Sequence, residues 1–230
     1  MTTDGVLGSL VLAVSLAVAA IPEGLATVVT IVLSMGVTKM SARSAVLRKL
    51  TAVETLGCAE IICSDKTGTL TQNKMTVVET YGDDIDLLAR VMSLCSDSKV
   101  IDGAVVGEPT ENALVTAAAM QGKLKPSLER SCPRVKELPF DSTRKRMTTI
   151  HRLNGGYLVI TKGAPDILLP MCSRVLVAGQ EREMSAAYRT QILKRNEEMA
   201  GDALRVMGVA YRQASSEPGD PERELVFCGL

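Results

Sequence analysis

Apolar and polar positions follow three regimes along this chain. From Gly5 to Thr38 the only charged residue is Glu23, in a run of 34 residues. As a helix this run is about 50 Å long, against a hydrocarbon core of about 30 Å. It lacks the basic start of a secretory signal and exceeds an apolar signal core of about 7–15 residues. The pattern predicts a spanning helix that continues beyond the bilayer. Only Asp4 precedes it, whereas Lys39, Arg43, Arg48 and Lys49 follow, so residues after 38 are expected in the cytoplasm. Residues 34–56 read as a basic stalk and connector, and AEIICS (59–64) as a short buried strand ending at Asp65. Beyond Met75 short mixed patterns take over. Helices are predicted at 86–97, at 108–122 between Pro109 and Gly122, and at 185–201. Strands are predicted at 133–140, 146–153, 157–164, 204–212 and 224–230, with NGG (154–156) turning a hairpin and SSEPGDP (215–221) as a linker.

The apolar run is interrupted at AAIPEGLAT, residues 19–27. Pro22 has no N–H, which removes the helical partner of the Val18 carbonyl, and Gly24 loosens the next turn. Backbone carbonyls freed at membrane depth are costly unless they line a cavity or bind something, and Glu23 beside them is costly too. A broken helix with freed carbonyls and one acid can form part of a site for a desolvated cation. A plain proline kink, with Glu23 protonated or paired to another helix, is the alternative.

Composition narrows the function classes. Lys plus Arg and Asp plus Glu both number 26, and aromatics are limited to two Phe and four Tyr. Neither a basic surface nor a stacking platform for nucleic acid follows from such a sequence. Six cysteines form no CxxC pair and His151 is the single histidine, which argues against zinc and for reduced, packed thiols. No GxxxxGK[ST] loop occurs, so a nucleotide would need a different module, for which the segment after residue 75 is the candidate.

The stretch CSDKTGTLTQNKMT (63–76) carries the candidate chemistry. At a strand's carboxyl end, Asp65 can act as a carboxylate nucleophile that forms an acyl-phosphate. Thr67 and Thr69 could donate to phosphate oxygens, Gly68 permits close approach, and Lys66 adds a cation. Mg²⁺ would be needed to bridge two anions. An ordinary Asx turn after a strand accounts for the same residue types, and the residues alone leave both readings standing.

Three separated motifs, IPEGL (21–25), ETLGCAEIICSDKTGTLTQNKMT (54–76) and KGAPD (162–166), resemble those of the P-type cation-transporting ATPases, within them the type II calcium pumps. The resemblance implies a membrane helix plus α/β architecture. Residues 1–38 would be a transmembrane helix broken at Pro22-Glu23-Gly24. Residues 39–73 would be the stalk and the start of a HAD-like (Rossmann-type) phosphorylation domain. Residues 74–230 would be an inserted α+β nucleotide-binding domain with an antiparallel sheet. It makes Asp65 the phosphorylated aspartate, with Lys66 and Thr67 in its pocket and Asp65 and Thr67 on Mg²⁺. It assigns ATP to Glu111 in GEPTENAL (107–114), Phe140 in FDSTRKRM (140–147), Lys162, Gly163 and Arg205. It assigns the transported cation to Glu23 and the main chain of Val18, Ala19 and Ile21.

VAAIPEG looks like the calcium-pump form, although calcium pumps carry a second proline where this chain has Ala26. The implied partners are Ca²⁺, the lipid bilayer of the plasma membrane and the remaining domains of a pump, with no nucleic acid. No TGE, TGD or GDGxND motif occurs, so this length of chain is expected to bind ATP weakly and not to turn over. Two other classes stay open: a non-catalytic or degenerate fragment, and a membrane-anchored HAD-type phosphatase or phosphotransferase. The latter usually has a second aspartate where this chain has Thr67.

Overall fold

The computed structural model describes residues 3–22 and 24–230, and the chain divides into two compact units, 1–65 and 66–230. In the first unit α1 (Thr3–Ala19) and α2 (Gly24–Ser41) follow each other, and α3 (Ala52–Gly57) comes after a short connection. Most of their apolar side chains are exposed, with Leu33, Val37, Met40, Ala52 and Val53 half-buried, and the stretch Gly5–Ser41 is apolar and long enough to cross a membrane. Within it the hydroxyls of Ser9, Thr30 and Thr38 donate to the carbonyls of Gly5, Ala26 and Ser34 one turn earlier, so these three hydroxyls need no water.

Two expectations are corrected in this unit. The Val18 carbonyl is not orphaned by Pro22: the Ile21 N–H donates to it at 3.1 Å, and the Leu25 N–H donates to Pro22 at 2.9 Å. The helix tightens to three-residue steps on both sides of the proline, the usual way a terminal turn satisfies its carbonyls. Residues 59–64 form no strand, and Ile61 and Ile62 stand exposed. A strand exists only through a neighbour that takes up its N–H and C=O groups. Among the described residues of this unit no second strand is present. Glu23 lies outside the described residues.

The second unit opens on the turn Lys66–Leu70, which Gly68 makes possible by adopting φ of 76°. Its main body is a seven-stranded sheet in the order β3-β4-β5-β8-β9-β6-β7. The strands are β3 (Arg134–Asp141), β4 (Arg146–Leu153), β5 (Gly156–Gly163), β6 (Cys172–Val177), β7 (Gln180–Glu183), β8 (Gly208–Ala214) and β9 (Leu225–Gly229). All neighbours are antiparallel except β6 and β9. A small hairpin, β1 (Lys99–Ile101) with β2 (Ala104–Val106), turns at Asp102-Gly103.

Side chains of opposite parity fill two cores. On one face α4 (Ile85–Leu94) and α5 (Pro109–Met120) pack on Met147, Leu158, Ile160, Val209 and Tyr211. On the other, α7 (Pro165–Leu168) and α8 (Ala186–Gly201) cover Val175, Ala210, Leu225 and Phe227. The two edge strands β3 and β7 are largely exposed and carry charges or proline, which discourages pairing with another chain. Tyr81 and Leu230 exchange both backbone hydrogen bonds, at 2.9 and 2.7 Å.

Candidate functional site

The first turn of α5 is fixed by its own sequence. Pro109 needs no N–H partner at the helix start, and the Glu108 carboxylate accepts from the N–H groups of Thr110 (2.8 Å) and Glu111 (3.1 Å). The carboxyl end of α4 is held equally firmly. Lys125 donates to the carbonyls of Ser93 and Ser96, and Arg134 to those of Leu94 and Ser96. With both ends in place, the Asp97 N–H donates to Glu111 Oε2 at 2.7 Å. Glu111 Oε1 is paired with Lys162, whose side chain is only 5% exposed.

Lys162 sits near the end of β5, between Met147 of β4 and Val209 of β8 in the ladder. Its methylene stem lies in the α4/α5 core while its ammonium reaches Glu111. An ammonium has three donors, so this ion pair leaves it able to engage a further acceptor. Gly163, one residue on, faces Arg146 across the ladder, and a Cβ there would fall 2.7 Å from both Arg146 Cβ and the Lys145 carbonyl. Only glycine lets β5 approach the β3–β4 turn this closely.

That turn carries the third element of the site. Its Asp141 carboxylate accepts from the N–H groups of Arg144 (2.8 Å) and Thr143 (2.9 Å), which hold it below its ordinary pKa. Phe140, immediately before it on the edge strand, leaves 62% of its surface in water. A large exposed aromatic at the same end of the sheet as a buried ion pair is an unusual use of apolar surface. Arg205, three residues before β8, is exposed and lines a cavity of about 280 Å³ whose wall includes Thr110, Ala113 and Leu114 of α5.

Glu111, Phe140, Lys162, Gly163 and Arg205 therefore all belong to one end of one sheet and the helix start packed upon it. The remaining sequence candidates are placed as follows. Lys66 and Thr67 lie in the exposed turn Lys66–Leu70, where the Thr71 hydroxyl accepts from the Gly68 N–H at 3.4 Å. Asp65 closes the first unit, exposed, with its carbonyl accepting from the Ser64 hydroxyl at 3.2 Å. Val18, Ala19 and Ile21 flank the break between α1 and α2. Glu222, in the connection before β9, escaped the sequence reading altogether. It takes Arg144 and Arg146 at 2.7 and 2.6 Å on the far side of the same turn.

A family model described as the P-type ATPase cytoplasmic domain N matches residues 84–230, the sheet and helices just described. The chain belongs to the P-type ATPases. It is 45% identical over 235 residues to a calcium-transporting ATPase 1 of Bacillus cereus, covering 95% of this chain and 26% of that protein. Likewise, it is 41% identical over 243 residues to a calcium-transporting ATPase 1 of Lactococcus lactis, covering 98% and 28%. To a cation-transporting ATPase pma1 of Synechocystis it is 38% identical over 264 residues, covering 95% and 29%. This P-type ATPase chain thus spans a little over a quarter of the length of these relatives.

Proposed function

We propose that this chain is the part of an ATP-driven cation pump that holds ATP and carries the aspartate to be phosphorylated, with Ca²⁺ as the transported ion. The observation that carries the reading is the grouping of exposed Phe140 with the Glu111–Lys162 pair and the close-packed Gly163 at one sheet end. A nucleobase has a flat face for Phe140 and edge acceptors for an ammonium donor. Arg205 supplies a cation for phosphate. The domains follow as 1–38 in the membrane, 39–73 in the stalk and phosphorylation domain, and 74–230 as the nucleotide-binding insert.

Asp65 would attack the γ-phosphorus through a carboxylate oxygen. The bond from phosphorus to the β–γ bridging oxygen breaks, ADP leaves, and an aspartyl-phosphate remains. Asp65 and Thr67 offer oxygen donors of the kind Mg²⁺ takes alongside phosphate oxygens and water, and the ion would offset the negative charge gathered there. Lys66 and the N–H groups of the turn Lys66–Leu70 bind and orient the phosphoryl group. In the membrane, Glu23 and the carbonyls of Val18, Ala19 and Ile21 contribute to the cation site; a carbonyl already bonded once, as at Val18, keeps a second lone pair. The calcium assignment draws on the calcium-transporting relatives and on IPEGL. The helix spans the plasma membrane with residues after 38 in the cytoplasm.

The test is a titration of the 230-residue chain in lipid nanodiscs with ATP, followed by amide chemical shifts. Saturable shifts at Phe140, Lys162, Gly163 and Arg205 are expected. Phe140→Ala should weaken binding about tenfold, the worth of one stacked base, and change stability by less than about 0.5 kcal/mol because the ring is exposed. Lys162→Ala should weaken binding and also cost about 3 kcal/mol, since it strips Glu111 of its partner. No shifts at millimolar ATP in a folded chain would overturn the reading.

A further inference from the structure

We propose that Glu222 is a positioning residue for nucleotide binding: from the opposite face of the sheet it fixes the turn that presents Phe140. The inference rests on the nucleotide reading above and adds a residue outside its contact set. Strand pairing does not fix Phe140. The β3–β4 register shifts between Leu138 and Asp141, so Pro139 and Phe140 have no ladder partners, and Pro139 has no N–H to offer. The turn that follows is also uphill, because Lys145 adopts φ of 52° without being glycine.

Besides the local bonds to Asp141, the segment is held from 74 to 78 residues away. Arg144 Nη2 donates to the Pro139 carbonyl at 2.7 Å, and its Nη1 donates to Glu222 Oε1 at 2.7 Å. Arg146 grips Glu222 Oε2 through Nε at 2.7 Å and Nη2 at 2.6 Å. The Thr148 hydroxyl donates to Oε1 at 2.8 Å and lies 3.0 Å from the Thr161 hydroxyl. Thr148 and Thr161 are one residue out of step with Met147 and Lys162, so Glu222 is on the face away from Glu111. Its side chain is 11% exposed and its oxygens are occupied by these four donors, which leaves it no lone pair suited to a ligand. Burial disfavours its charged form, but donation from Arg146, Thr148 and Arg144 outweighs that and holds its pKa below the ordinary value. The path runs from Glu222 through Arg144 to the carbonyl preceding Phe140.

The experiment measures ATP affinity, thermal stability and the Phe140 ring resonances of the 230-residue chain in nanodiscs. The variants are Glu222→Ala, Glu222→Gln, Arg144→Ala and the Glu222→Ala/Arg144→Ala pair, with Phe140→Ala beside them. Glu222→Ala is expected to weaken ATP binding about tenfold, to move the Phe140 resonances without ATP present, and to leave the Ile192 methyls on α8 unmoved. Arg144→Ala should do the same, and the double variant should lose no more than the worse single one, since both act through one contact. Wild-type affinity in folded Glu222→Ala and Arg144→Ala chains, with Phe140→Ala weakened, overturns the proposal and spares the nucleotide reading. Full affinity in Phe140→Ala overturns the nucleotide reading itself. Should Glu222→Ala fail to fold, Glu222→Gln and the more exposed Arg144→Ala decide the question by the same measures.

Discussion

At the scale of single residues, buried polar groups are paired with few exceptions, Ser93 Oγ and Arg212 Nε among the described residues. His151 is fully buried, its Nδ1 3.0 Å from the Cys132 carbonyl and its Nε2 2.9 Å from the Thr149 hydroxyl. Burial is the main cause that lowers its pKa from 6.5 to about 4. The unfolded chain therefore binds this proton at a higher pH than the folded one. Stability is full above about pH 6.5 and is lost as the pH falls toward 4, by about 2–3 kcal/mol between pH 7 and 4.5. Urea unfolding at those two pH values checks the loss, and His151→Gln should flatten it. As the only histidine, its imidazole can also be followed directly by NMR. Cysteines split in the same way: Cys95, Cys132, Cys172 and Cys228 are buried, as packed thiols should be, whereas Cys58 and Cys63 are exposed. Of the candidate site residues, Lys162 and Gly163 were legible as a strand end and Phe140 as the last residue of a predicted strand, their nucleotide roles coming only from the family resemblance. The Glu111–Lys162 contact bridges 51 residues of sequence, and no local pattern encodes it.

At the scale of elements, strong local signals reproduced themselves. Pro109 and Gly122 bracket α5, which runs from Pro109 to Met120, and NGG joins β4 to β5 with Gly155 at φ of 88°. Weak signals did not. β7 is QERE, four exposed polar residues that are a strand only because β6 lies beside them. The predicted strand at 204–212 starts at Gly208, because residues 204–206 face the cavity beside α5 and have no ladder partner. Asp102-Gly103 was a usable hairpin signal that its short flanks, three residues on each side, obscured. In the apolar run the break at Pro22 belongs to this scale as well. Pro22→Ala restores the N–H that a regular helix would give to Val18, and α1 should then run unbroken into α2. Hydrogen exchange in micelles checks this: amides 20–25 should become protected. Unchanged exchange would mean that the residues around the break, and not the proline, set it.

At the scale of the whole molecule, the second unit owns its core on both faces of the sheet, and Tyr81 and Leu230 are joined by both backbone hydrogen bonds. Residues 66–230 expressed alone are therefore expected to fold cooperatively and to give the amide spectrum they give within the longer chain. A collapsed or molten spectrum would contradict this. The sequence by itself determined the apolar run, the family-bearing motifs, the helices α4, α5 and α8 and the β4–β5 hairpin. Each of these depends on neighbours within one or two turns, whose sterics and periodicity are local. Only the tertiary structure decided which strands pair, that 59–64 finds no partner in its unit, that Val18 keeps a hydrogen bond, and that Glu111 and Glu222 grip one sheet end from opposite faces. Those outcomes depend on contacts between distant segments, where burial makes or breaks a charge, and spacing along the chain does not specify them.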